Sequence, residues 1–336
     1  MGAPFADPAV DDDGNAVGKK RVYKAAAIEM DVVFNKKRWH FPQQRILTLW
    51  DDVAPTIATT RKTEPLFFRG NSGDIIEYWH TNLVPNYYQV DDFQVRTPTD
   101  ILGQHIHLVK FDVTSSDGAG NGFNYEDGTF APEEVQEIIH AINEPGGSWT
   151  PCPGCAAGPP ALKPPPAQIC SGPQPPAQCA AEWEGAQTTI QRWYLDPLVD
   201  NSGVDRTLRT VFTHDHFGPS THQQVGLYAG LVVEPMGSTW TSNDGATPFG
   251  ARSDGGPTSW EARIITSNTK DSYREFLLEF QDLQLAYAWA TIGGTNPPKT
   301  QPSADPKIGW IDPAYAINAP SGSPTKARPE LVTTGN

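Results

Sequence analysis

The sequence predicts an all-β sandwich or barrel, and three observations predict it. Short runs rich in branched and aromatic residues recur between turn residues. Gly and Pro are abundant, 30 and 32 of 336 residues, and they cut regular elements short. Hydrophobic residues make up 38% and charged residues 19%, a balance foreign to coiled coils and helical bundles. No internal repeat is visible.

The elements follow in order. Residues 1–20 are polar and acidic and read as a loose tail. Ile28 to Phe34 alternates at nearly period two, and Arg45 to Trp50 is a second strand candidate. Pro65 to Gly70 runs through the turn Asn71-Ser72-Gly73-Asp74 into Ile75 to His80, which predicts two strands and a turn. Gln104 to Val113 alternates again. A short helix is expected over Pro132 to Ile142, with acids in its first turn. Strands resume at Thr188 to Leu195, Arg206 to Phe212 and Gly226 to Val233. A glycine-rich stretch over 237–257 reads as a linker. Glu261 to Ile265 and Arg274 to Phe280 complete the strand candidates.

Bulk properties exclude several functions. The formal charge is −14, which repels phosphate backbones and argues against nucleic-acid binding. No run of eighteen apolar residues provides a membrane span. The N-terminus lacks the basic start and apolar core of a signal peptide. A P-loop, a dinucleotide fingerprint, an H-E-x-x-H helix and a G-x-S-x-G elbow are all absent.

All four cysteines fall in a proline-rich stretch: Cys152, Cys155, Cys170 and Cys179. Ten of the thirty residues from Pro151 to Ala180 are proline, so neither helix nor central strand fits there. Two disulfides, a metal knuckle begun by the C-x2-C spacing, or unpaired thiols all remain open.

Five of the eight histidines sit in two tight groups. One is His105-Ile106-His107. The other is His214-Asp215-His216, with His222 six residues on. Residues i and i+2 of a strand share a face, so two such pairs on neighbouring strands would build a nitrogen site. Neutral imidazole suits copper, zinc, iron or nickel. His40, His80 and His140 stand alone and read as surface or capping residues. His222 reads as a ligand, a supporting group or a polar loop residue.

Three stretches resemble the multicopper oxidase family, especially its bacterial laccase-like branch. They are Gly73 to Leu83, Ile101 to Gly118 around the first H-x-H, and Val211 to Pro235 around the second. Tyr273 to Asp282 resembles the opening of that family's second cupredoxin domain. The first motif also resembles the family's third, but the Tyr228 to Pro235 run favours the N-terminal assignment. The resemblance implies a cupredoxin-like Greek-key β-sandwich with a long Pro/Cys-rich insertion and a partial second cupredoxin domain. It implies copper of the type 2/type 3 kind, with His105 on the type 2 ion and His107, His214 and His216 on the type 3 pair. It also implies O2 reduction coupled to oxidation of a phenol or a metal-ion donor.

The departures are equally specific. No histidine follows His222, and position 215 is Asp where a type 1 copper motif would carry Cys. The type 1 site and half of the trinuclear ligands are therefore missing from this sequence. Expected domains are a tail over 1–22, a cupredoxin domain over 23–236 with its insertion at about 145–182, a linker over 237–257, and a second cupredoxin-like start over 258–336. The expected role is a fragment or split part of an oxidase that needs a further cupredoxin domain or subunit to act, which leaves its standing as an enzyme open. A non-catalytic copper-binding or structural module is the alternative. The cysteines and the family suggest a periplasmic or extracellular setting.

Overall fold

Among the described residues, branched and aromatic runs separated by turns become twelve strands. They are β1 (Lys20–Val33), β2 (Trp39–Leu49), β3 (Phe67–Asn71), β4 (Ile75–Asn82), β5 (Gln104–Ile106) and β6 (Thr188–Tyr194), then β7 (Arg209–Asp215), β8 (Tyr228–Glu234), β9 (Thr239–Thr241), β10 (Glu261–Ile265), β11 (Tyr273–Phe276) and β12 (Tyr287–Ala288). A short helix, α1 (Val53–Ile57), follows β2 among the described residues. The computed structural model describes residues 18–34, 36, 39–84, 101–119, 128–131, 187–217, 222–223, 225–280 and 287–288. The expected helix over 132–142, His140 and all four cysteines lie outside the described residues.

Two sheets make the sandwich. The first has the order β12-β2-β1-β4-β6 and the second β3-β8-β7-β5. Most neighbours are antiparallel, but β1 pairs parallel to β4 and β3 parallel to β8. From β2 to β7 each successive strand lies in the opposite sheet. This is an all-β sandwich, the fold class that the sequence predicts.

The core fills the space between the sheets. Phe68 of the second sheet meets Tyr23, Tyr78 and Trp193 of the first edge-on, at centroid distances of 5.1, 4.9 and 5.6 Å, a favoured aromatic geometry. Ala25, Ile76, Val211 and Leu231 are buried around them. Strand β7 shows the period that orients the rest. Val211, Thr213 and Asp215 face inward and are buried, while Thr210, Phe212 and His214 face out.

Strand β5 is shorter than its alternation predicts. It ends at Ile106 because Leu108 takes φ 65°, in the left-handed region. The Val109 N–H then bonds back to the His107 carbonyl at 2.8 Å. The chain thus turns away directly behind the first histidine pair.

A third sheet, β11-β10-β9, is bonded to the sandwich. The 237–257 stretch that reads as a linker carries β9 and a loop in which Arg252 donates to both Asp52 carboxylate oxygens at 2.9 Å. Thr258 Oγ1 donates to the Phe67 carbonyl at 2.6 Å. The fully buried Arg69 donates to Glu234 at 3.1 Å and also to Glu275 of β11. Tyr273 donates to the second Glu234 oxygen at 2.7 Å. Burial and the neighbouring Glu275 push the Glu234 carboxyl up to about 7.

Candidate metal centre

Strands β5 and β7 are antiparallel neighbours at the edge of the second sheet, with His105 opposite His214. That register is held by more than backbone bonds. Thr213 Oγ1 donates to the His105 carbonyl at 2.6 Å and accepts from Gln104 Nε2 at 3.0 Å. The His107 N–H reaches the Phe212 carbonyl at 3.1 Å, and the His216 N–H reaches the Gly103 carbonyl at 2.9 Å. Alternation then puts all four imidazoles on the outer face of the sheet.

The rings form one cluster. His105 lies 4.7 Å from His107, 5.6 Å from His214 and 4.9 Å from His216, centroid to centroid. His107 and His214 are 5.0 Å apart, and their Nε2 atoms are only 2.8 Å apart. Phe212 stacks on His107 at 4.1 Å, with an interplanar angle of 21°. Burial and the neighbouring imidazoles push the protonation of His107 below the usual histidine range, and burial does the same for His214. Both rings therefore stay neutral near pH 7, the form in which imidazole binds a metal.

The protein occupies the Nδ1 atoms of His105 and His214. His105 Nδ1 lies 2.7 Å from the Asp117 carbonyl and 2.5 Å from its Oδ1. A close approach makes that contact possible. Gly118, at φ 68°, brings its loop so near β5 that a Cβ there would stand 2.1 Å from the Gln104 carbonyl. His214 Nδ1 lies 2.8 Å from the Asp215 carbonyl and 2.7 Å from Gln223 Nε2. Fixing Nδ1 in this way directs Nε2 toward the shared face.

The donor type and spacing suit copper or a similar ion. Nitrogens on one ion at ~2.0–2.1 Å each stand about 3 Å apart, close to the His107–His214 separation. The cluster is nevertheless open. Among the described residues, no three His, Cys, Asp or Glu side chains stand as a ready metal-holding group. The arrangement fits an ion that draws further ligands from outside this face.

The remaining histidines separate from this face. His80, which reads as a surface or capping residue in the sequence, is instead buried, with Nδ1 2.8 Å from the Tyr78 hydroxyl. Burial lowers its pKa to about 4. His222 is fully buried as well and lies 2.7 Å from Asp215 Oδ1. His40 lies in β2, paired with Val33 and Tyr287. Sequence reasoning passed over Gln223, Gly103 and Thr213. Only their contacts across strands and loops mark them, and no local motif does.

No protein-family model and no curated protein sequence matches the chain. Several solved structures are similar in part. A multi-copper oxidase from Pseudomonas thermotolerans shares 10% identity over 64% of this chain and 30% of its own, with a TM-score of 0.31. A copper nitrite reductase from Nitrosomonas europaea shares 11% over 65% and 42%, with a TM-score of 0.30. A further multicopper oxidase shares 14% over 77% and 57%, also at 0.30. The chain thus spans between about a third and three fifths of those proteins. No helix among the described residues is long and apolar enough to cross a membrane.

Proposed function

We propose that residues 23–236 form a copper-binding cupredoxin module whose histidine face supplies half of a trinuclear site. The whole site would reduce O2 while a phenol or metal-ion donor is oxidised. The carrying observation is the convergence of His105, His107, His214 and His216 on one outer sheet face, with the His107 and His214 Nε2 atoms 2.8 Å apart. In this reading His105 serves the type 2 copper and the other three serve the type 3 pair. The remaining ligands come from a further cupredoxin domain or a second subunit, to which residues 258–336 would lead. A periplasmic or extracellular setting goes with this reading.

Copper, when bound, supplies one-electron redox chemistry and a place for O2. The chain supplies orientation and neutrality. Asp117 and the Asp215 carbonyl hold the Nδ1 atoms of His105 and His214, so that their Nε2 atoms would be the ones to hold the ion. Low basicity at His107 and His214 keeps protons from competing with the ion.

Purified chain titrated with copper should bind it, and His107→Ala and His214→Ala should each remove binding. It should show no strong blue absorption, because no type 1 site is present, and no oxygen consumption by itself. A blue band overturns the half-site reading. Robust oxygen consumption by this chain with a phenol or Mn(II) overturns its dependence on a partner. Copper binding with no activity after the missing domain is restored favours the non-catalytic module. One zinc per chain and no copper favours a different metalloprotein.

A further inference from the structure

The inward side of the second H-x-H is as organised as its outward side. Asp215 sits between His214 and His216, so its side chain points through the sheet into the protein, where it is 1% exposed. There Oδ2 accepts the Gly103 N–H at 3.0 Å, and Oδ1 lies 2.7 Å from His222 Nδ1. Gly103 stands two residues before His105, and its carbonyl accepts the His216 N–H at 2.9 Å. His222 is anchored in turn. Its carbonyl accepts the Leu227 N–H at 3.0 Å, and the Leu227 carbonyl accepts the Asp215 N–H at 2.9 Å. One carboxylate therefore ties together the entry to the first motif, the centre of the second and the segment that follows.

We propose that Asp215 and His222 act as positioning residues, a buried hydrogen-bonded pair that fixes both histidine motifs from behind. The proposal rests on the copper-binding reading of the outer face. His222 donates its Nδ1–H to Asp215, and the oriented carboxylate holds Gly103 so that β5 and β7 present their imidazoles in register. Neither residue touches the metal. A carboxylate this deeply buried needs its donors, because an unpaired buried charge is strongly disfavoured.

The test uses the full chain and two substitutions. His222→Asn retains a donor nitrogen near the place of Nδ1, and His222→Leu fills similar space without one. Copper affinity is measured by competition with a chelator, folding by circular dichroism, and exchange of the Gly103 and His216 amides by NMR. His222→Leu should stay folded, bind copper 10–100-fold more weakly and exchange both amides faster, and His222→Asn should restore both properties. A folded His222→Leu with wild-type affinity and wild-type exchange overturns the proposal. So does a His222→Asn variant as impaired as His222→Leu, since bulk rather than the hydrogen bond would then matter. If wild-type chain binds no copper, the metal reading fails, yet the exchange rates still decide the clamp. If His222→Leu does not fold, the wild-type imidazole spectrum decides. A slowly exchanging Nδ1–H on His222 is required, and its absence overturns the proposal.

Discussion

The two H-x-H motifs carry the same outward chemistry on different inward fillings. In the first, the middle residue is Ile106, fully buried in the apolar core. In the second it is Asp215, equally buried but held by hydrogen bonds to Gly103 and His222. Apolar packing is non-directional and sets how deeply a strand sits. Hydrogen bonds have a preferred direction and set how the strand is turned. The pairing suggests a division of labour in which Ile106 seats the edge of the sheet and Asp215 aims the imidazoles.

Damage to each filling should therefore differ in kind. Ile106→Ala is expected to have the largest effect on stability, about 2–4 kcal/mol by denaturant midpoint, from lost burial and the cavity it leaves. Once folded, that variant should still bind copper. Thr213→Val should cost about 1–2 kcal/mol, because it removes the buried donor to the His105 carbonyl and the acceptor for Gln104. Copper affinity should fall with it, since those bonds hold the two motifs in register. Phe212→Ala should cost less, about 0.5–1 kcal/mol, because the ring is half exposed and its main contact is the stack on His107.

A site far from both motifs sharpens the contrast. Glu234 is raised to about 7 by burial and by Glu275. The folded chain therefore keeps a proton there that the unfolded chain releases above about 4.5. Between those values each rise in pH removes stability contributed by this group. Glu234→Gln should gain on the wild type in thermal midpoint as pH rises from 5 to 8, with copper affinity unchanged. A change in copper affinity would mean that the junction with the third sheet and the histidine face are coupled.

Much of the fold was legible because period-two alternation and turn residues are local signals. Residues 188–195 and 261–265 gave nearly their observed strands, β6 and β10. Strand β9 was missed because Thr239–Thr241 is too short to show a period, and its partner Ile265 lies over twenty residues away. The end of β5 was overestimated because Leu108 enters the left-handed region, which no side-chain pattern announces. The four outward histidines were visible as two spaced pairs. The burial of His80 and His222 was not, since each depends on what the opposite sheet and the returning chain place over it. The role of Asp215 was hidden for the same reason: its partners Gly103 and His222 come from separate segments.

The most direct measurement is Cu(I) titration of the chain with isotope-labelled histidine, followed through the imidazole nitrogen resonances. The account predicts that the Nε2 signals of His105, His107, His214 and His216 shift on binding, while those of His80 and His222 stay fixed. Shifts confined to His80 or His222, or no shift in the four outward rings, would contradict it.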